Sequence, residues 1–300
     1  MNLHKNKDEF LNTLIQVNKE KNIALAILEK DYYVTLLLKE VVKKIPNLVF
    51  KGGTSLSKCY KIINRFSEDI DLTIDCDNIT QGIKRECNYK IIEIINDLNL
   101  KLTNREEVRS RRKYNKYKIE YPQSFKDSSL KETLLIETVF MVKAYPKEIK
   151  KVSSIICDYW VEKGNLEAIE KYNMRPFNIA VQTLERTFID KVFALCDYYL
   201  SNEMFGYSRH IYDLYKLYPN IKIDDDFKKL IVSVREDRKK HSSCISAKDE
   251  YNISEQLKKI VNEKYYYEDY IDVTQHVLFD DVDYDQAITV LNDIIKNKLI

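Results

Sequence analysis

FKGGTSLSKCYKIINRFSEDIDLTID, residues 50–75, sets two of the chain's five glycines side by side, Gly52 and Gly53, followed by the hydroxyls of Thr54 and Ser55. A run that reads as an amphipathic helix comes next. After it, Asp69-Ile70-Asp71-Leu72-Thr73-Ile74 alternates polar and apolar residues, the pattern of a half-buried strand. Period-two geometry puts Asp69 and Asp71 on one face and sends Ile70, Leu72 and Ile74 into the core. Two carboxylates facing the same way repel each other unless a cation sits between them, and hard oxygen ligands suit Mg²⁺. At Gly53-Thr54-Ser55 the unpaired N–H groups and positive dipole of a helix start form an anion site, and glycine lets a phosphate approach where a Cβ would block it. A plain capping role for Thr54 or Ser55 is compatible with that reading.

The chain's 300 residues set an expectation of about two domains. Charged residues make up 32% but are mixed in sign, and a net charge of +2 neither demands nor excludes a nucleic-acid partner, which would have to be met by a local patch. Six cysteines without Cys-x-x-Cys spacing and only four histidines argue against a zinc site or a disulfide framework, and for reduced thiols. Residues 1–8 are polar and no apolar run reaches membrane-spanning length, so a cytoplasmic protein with no membrane partner is expected.

Outward from the glycines, Ile23, Ile27, Val34, Leu37, Val41 and Ile45 recur at helical spacing and predict one helix over 22–45, with Glu29-Lys30-Asp31-Tyr32-Tyr33 inside it. Leu48-Val49-Phe50 reads as a short buried strand aimed at Gly52. Residues 84–98 read as a helix and 99–121 as an edge hairpin rich in cations: Lys101, Arg105, Arg109, Arg111, Arg112, Lys113, Lys116 and Lys118. With Tyr114, Tyr117 and Tyr121 interleaved, the hairpin suits either a phosphate backbone with unstacked bases or a merely solvated edge. Residues 134–140 are apolar on both faces except for Glu137, as in a central strand, so that carboxylate must be neutralised, paired across strands or metal-bound. Residues 177–183 predict a strand and 184–200 a helix with Leu184, Phe188, Val192, Leu195 and Tyr199 buried; Lys191 flanks that stripe, its ammonium able to reach a cleft. On the next helix Ile211, Leu214, Tyr215 and Tyr218 are expected inside, and Arg209 and Asp213 stand at i,i+4. Beyond Pro219 only helices are read, the last near 284–298.

A strand running into Gly-Gly, a helix, and a second strand bearing Asp-x-Asp resembles the polymerase β type of nucleotidyltransferase. KGGTSL and RFSEDIDL resemble more narrowly the AbiEii family of abortive-infection and type IV toxin nucleotidyltransferases, to which the MenT toxins are related. The EKDYY run, a helix with a lysine such as Lys191, and Arg-x-x-x-Asp-Leu at Arg209–Leu214 are similar to features of the same family, so the likeness covers roughly residues 22–218. One departure is the longer gap from Gly53 to Asp69, which lengthens the helix or adds a loop at 64–67.

That resemblance implies an α/β (α+β) fold: a nucleotidyltransferase core with a small mixed sheet over 1–145, and a mostly helical lobe over 146–300 closing the cleft. It implies transfer of a nucleoside monophosphate from an NTP to a hydroxyl acceptor, the 3′ end of tRNA in MenT-type relatives, by the toxin of a phage-defence system with a cognate antitoxin. Asp69, Asp71 and Glu137 would hold two Mg²⁺ ions, with Glu137 helping to deprotonate the acceptor. Gly52, Gly53, Thr54 and Ser55 would cradle phosphates, Lys191 would neutralise the leaving pyrophosphate, and Asp213 and Arg209 would orient substrate or that lysine. Two other outcomes stay open: a nucleotidyltransferase acting on protein, and a nucleotide-binding regulator without turnover. A glycosyltransferase using Asp-x-Asp is disfavoured by the paired glycines before it.

Overall fold

The computed structural model describes residues 1–300 except 68, 77, 111, 128, 129 and 142. The chain runs α1 (Lys7–Lys21), α2 (Leu25–Lys44), β1 (Leu48–Lys51), α3 (Gly52–Ser55), β2 (Asp69–Ile74), α4 (Gln81–Asp97), β3 (Lys101–Leu102), β4 (Tyr114–Glu120), β5 (Leu134–Val139) and β6 (Lys147–Val152). It continues through α5 (Ile155–Glu162), α6 (Leu166–Lys171), β7 (Phe177–Gln182), α7 (Leu184–Leu200), α8 (Arg209–Leu217), α9 (Asp225–Lys239), α10 (Ile253–Asn262), α11 (Tyr267–Asp269) and α12 (Tyr284–Lys296). Helix starts carry the expected caps: the Thr80 side chain accepts from Ile83 N before α4, Thr183 from Arg186 N before α7, and Asp283 and Gln286 form a capping box at α12. The single helix expected over 22–45 begins at Leu25, because Asn22 turns left-handed at φ 54° and ends α1 instead.

The chain packs as two compact units. The first comprises residues 1–60, 67–140 and 148–181, and the second 61–66, 141–147 and 182–300. This division departs from the expected boundary at 145. Strand β7 pairs parallel with β1, so residues 148–181 join the sheet unit rather than the helical one.

In the first unit, seven strands form one mixed sheet in the order β3-β4-β5-β2-β1-β7-β6. Strand β2 lies antiparallel to β1 and parallel to β5, so the acidic strand is central and flanked by apolar neighbours. The hairpin of β3 and β4 forms one edge, as its charge predicted. Its aromatics divide differently from expectation, however: Tyr117 and Tyr121 are buried at 1% and 7% exposure and only Tyr114 reaches the surface. Alternation along β4 turns Tyr117 and Ile119 inward, and Tyr121 packs on Tyr33 with ring centroids 4.9 Å apart. These two rings serve the core and offer no stacking surface.

In the second unit α8 packs against both α7 and α12. That two-sided contact explains why its buried residues are Ile211, Tyr212, Asp213, Leu214 and Leu217, a wider band than the expected stripe; Tyr215 and Tyr218 are only partly covered.

Candidate active site

Strand β1 delivers the chain into Gly52, which adopts φ +76°. A Cβ there would stand 1.9 Å from Asp71 Oδ2, so the carboxylate lies directly against the glycine Cα. The small residue is thus required by the carboxylate face itself. We expect Gly52→Ala to strain the backbone by about 1–2 kcal/mol and to push Asp71 out of place. A lower melting temperature should result, and a wild-type value would show that the turn tolerates a side chain.

Gly53, Thr54 and Ser55 complete the turn, which no side chain caps at Lys51. Thr54 and Ser55 are fully buried. The Thr54 hydroxyl is 2.9 Å from that of Ser67, and the Ser55 hydroxyl donates to the Gly52 carbonyl at 2.8 Å. Both hydroxyls therefore fasten the turn, leaving its main-chain N–H groups as what it can offer an anion.

Along β2, Asp69 and Asp71 are half-buried on one face while Ile70, Leu72 and Ile74 are buried, the alternation read from sequence. Strand β5 runs parallel with Asp71 opposite Glu137. Adjacent strands lie about 4.8 Å apart, which sets those two carboxylates side by side, with Asp69 two residues along the same face. The row extends outward in register, Lys51 opposite Asp71 and Lys116 opposite Glu137. Two carboxylates thus stand between two lysines across four strands. Lys116 Nζ is 2.9 Å from Glu137 Oε1, and Lys131 Nζ is 3.1 and 3.2 Å from the two oxygens of Asp69. Glu137 accordingly makes the cross-strand pair that was one of its open roles, while also flanking Asp71. Beside them, burial and then the charge of Glu137 raise the Tyr114 phenol well above its ordinary value, so it remains a neutral hydroxyl.

The EKDYY run is buried and tied to several segments of the first unit. Buried Glu29 accepts from the main-chain N–H groups of Ser124 and Phe125, and Asp31 accepts from Lys58 Nζ at 2.5 Å and Ile155 N at 2.8 Å. Buried Lys30 donates to the carbonyl of Lys131, whose own ammonium reaches Asp69.

Lys191 and Asp213 lie together in the second unit. Asp213, with no exposed surface, accepts from Lys191 Nζ at 2.5 Å and from Arg65 through Nε at 2.7 Å and Nη2 at 2.8 Å. Burial alone would raise the Asp213 carboxyl, but the Arg65 and Lys191 charges overcome it and hold it far below the usual carboxylate range. Burial pulls Lys191 down, against the opposing pull of Asp213. His210, whose Nδ1 is 3.5 Å from Lys191 Nζ, is lowered well below its ordinary value by burial and then by Lys191 and Arg209, and so stays neutral. Asp213 thus holds both Lys191 and Arg65 by hydrogen bonds. The Lys191 ammonium, expected from its flank position to reach a cleft, is paired with Asp213, its side chain 8% exposed. Sequence reading passed over Arg65, since nothing local distinguishes an arginine in a loop until its distant partner is known.

Among the described residues no three of His, Cys, Asp and Glu are gathered at ligating distance. The donor set nonetheless fits a hard divalent ion: three carboxylates share one face, two of them in register, and ammonium groups already neutralise that face. No described helix is long and apolar enough to cross a membrane.

The family model described as "Nucleotidyl transferase AbiEii toxin, Type IV TA system" matches residues 36–290. No curated protein matches the chain. Among solved structures, MenT4, the nucleotidyltransferase toxin Rv2826c from Mycobacterium tuberculosis H37Rv, is similar in fold with a TM-score of 0.54 at 14% identity, over 94% of this chain and 88% of that one.

Proposed function

The chain belongs to the AbiEii family of nucleotidyltransferase toxins of type IV toxin–antitoxin systems, and from that premise we propose that it moves a nucleoside monophosphate from an NTP to the 3′ end of tRNA in a Mg²⁺-dependent reaction. The observation that carries the chemistry is the register of Asp71 with Glu137, beside Asp69 and against the Gly52 turn. A divalent ion bound by Asp69, Asp71 and Glu137 supplies charge neutralisation at the transferring phosphoryl group. The chain's own residues do the rest. Glu137 takes the proton of the acceptor hydroxyl, and the neutral Tyr114 hydroxyl beside it donates a hydrogen bond to the incoming phosphate or acceptor. The N–H groups of Gly53, Thr54 and Ser55 bind the outer phosphates. Lys191, fixed by Asp213, neutralises the leaving pyrophosphate, and Arg209 adds positive charge at the same lysine.

The acceptor reading is supported by the loop entering β4. Arg105, Arg109, Arg112 and Lys113 are exposed there, and the strand that follows carries Tyr114 and Lys116 to Glu137. Arg111, part of the same basic run, lies outside the described residues. An RNA backbone held on this loop brings its end toward the carboxylates, by phosphate contact and without the stacking expected from Tyr117 and Tyr121. Family membership also implies a cognate antitoxin.

The test incubates the protein with each labelled NTP, Mg²⁺, and total tRNA or protein extract. Label is expected on tRNA. Binding should weaken steeply with salt, and Arg112→Glu with Lys113→Glu should reduce tRNA binding more than NTP binding. Label only on protein would redirect the assignment to a protein nucleotidyltransferase; NTP binding with no label anywhere would favour a regulator.

A further inference from the structure

The cations that meet Asp69 and Glu137 in the structure come from the chain itself. Lys116 is fixed by strand register opposite Glu137, and the main chain of Lys131 is tied down by buried Lys30 before its ammonium turns to Asp69. The two carboxylates are mostly covered, their side chains 19% and 15% exposed, while the lysines are 38% and 46% exposed. Each ammonium is thus a point charge on a flexible stem that can withdraw toward solvent, whereas the carboxylates are held by the sheet. A divalent ion on this face would use the same oxygens that Lys116 and Lys131 now contact.

We propose that Lys116 and Lys131 compete with the divalent cation for Glu137 and Asp69, and so set the affinity of the carboxylate face for metal. The inference rests on reading that face as the metal site. The two lysines keep three like charges from repelling one another within the sheet before an ion arrives, and each must swing away as it loads. They are positioning residues, since they act through the carboxylates.

Mn²⁺ titrated into the full chain, with free ion followed by electron paramagnetic resonance, tests this without turnover. Lys116→Met and Lys131→Met keep an apolar stem and remove the competing charge. Each should bind Mn²⁺ about fivefold more tightly than wild type, the scale of one partly exposed ion pair. Unchanged or weaker binding in both, with binding lost in Asp69→Asn, overturns the competition and leaves the metal reading standing. Wild-type binding in Asp69→Asn overturns the metal reading and the competition with it.

Discussion

Asp69→Ala and Asp71→Ala are each expected to lower nucleotide transfer by roughly a thousandfold or more while the protein stays folded. On the proposed mechanism the rate effect follows from removing a metal ligand where charge on the transferring phosphoryl group must be neutralised. The pair of Asp69 with Lys131, a lysine 46% exposed, contributes at most about 1 kcal/mol of stability. Asp71 stands beside Glu137 in register, so its removal also relieves the repulsion between those two carboxylates, and thermal melting reads the net effect. Transfer of labelled nucleotide and thermal melting, measured on the same preparations, separate the two effects. Wild-type turnover in both variants would sink the mechanism.

The second expectation contrasts two residues joined by one hydrogen bond. Asp213→Ala leaves Arg65 and Lys191 buried without their counter-charge, and breaking such a group costs about 3–5 kcal/mol. Lys191→Ala leaves the bidentate Arg65–Asp213 pair in place, so the fold should survive while the rate falls by about a hundredfold or more. Lys191→Arg should rescue only partly, since a planar fork replaces a compact ammonium. Full activity in Lys191→Ala would return the lysine to a structural role. The sign of the pH dependence also follows. Asp213 is held below its ordinary value of 3.8, so its stabilisation is complete above that pH and is lost as the pH falls further toward its folded value. Denaturant melts of Asp213→Asn should lack that acid limb.

By itself the sequence determined which residues share a face. Alternation in 69–74 put Asp69 and Asp71 together and out of the core, the apolar run at 134–140 marked a central strand with Glu137 as its lone charge, and the paired glycines marked the turn. These are local properties, set by the two-residue period of a strand and by the absence of a Cβ. Only the tertiary structure decided what each face meets. The register that sets Asp71 beside Glu137 is a pairing between strands distant in the chain, and the same pairing brings Lys116 to Glu137. Burial of Tyr117 and Tyr121 depended on which side of the edge strand the core lay. Arg65 and Asp213 had no visible relation until folding enclosed both, because the cost of burying a charge is known only once its surroundings are, and that cost is what requires them to pair.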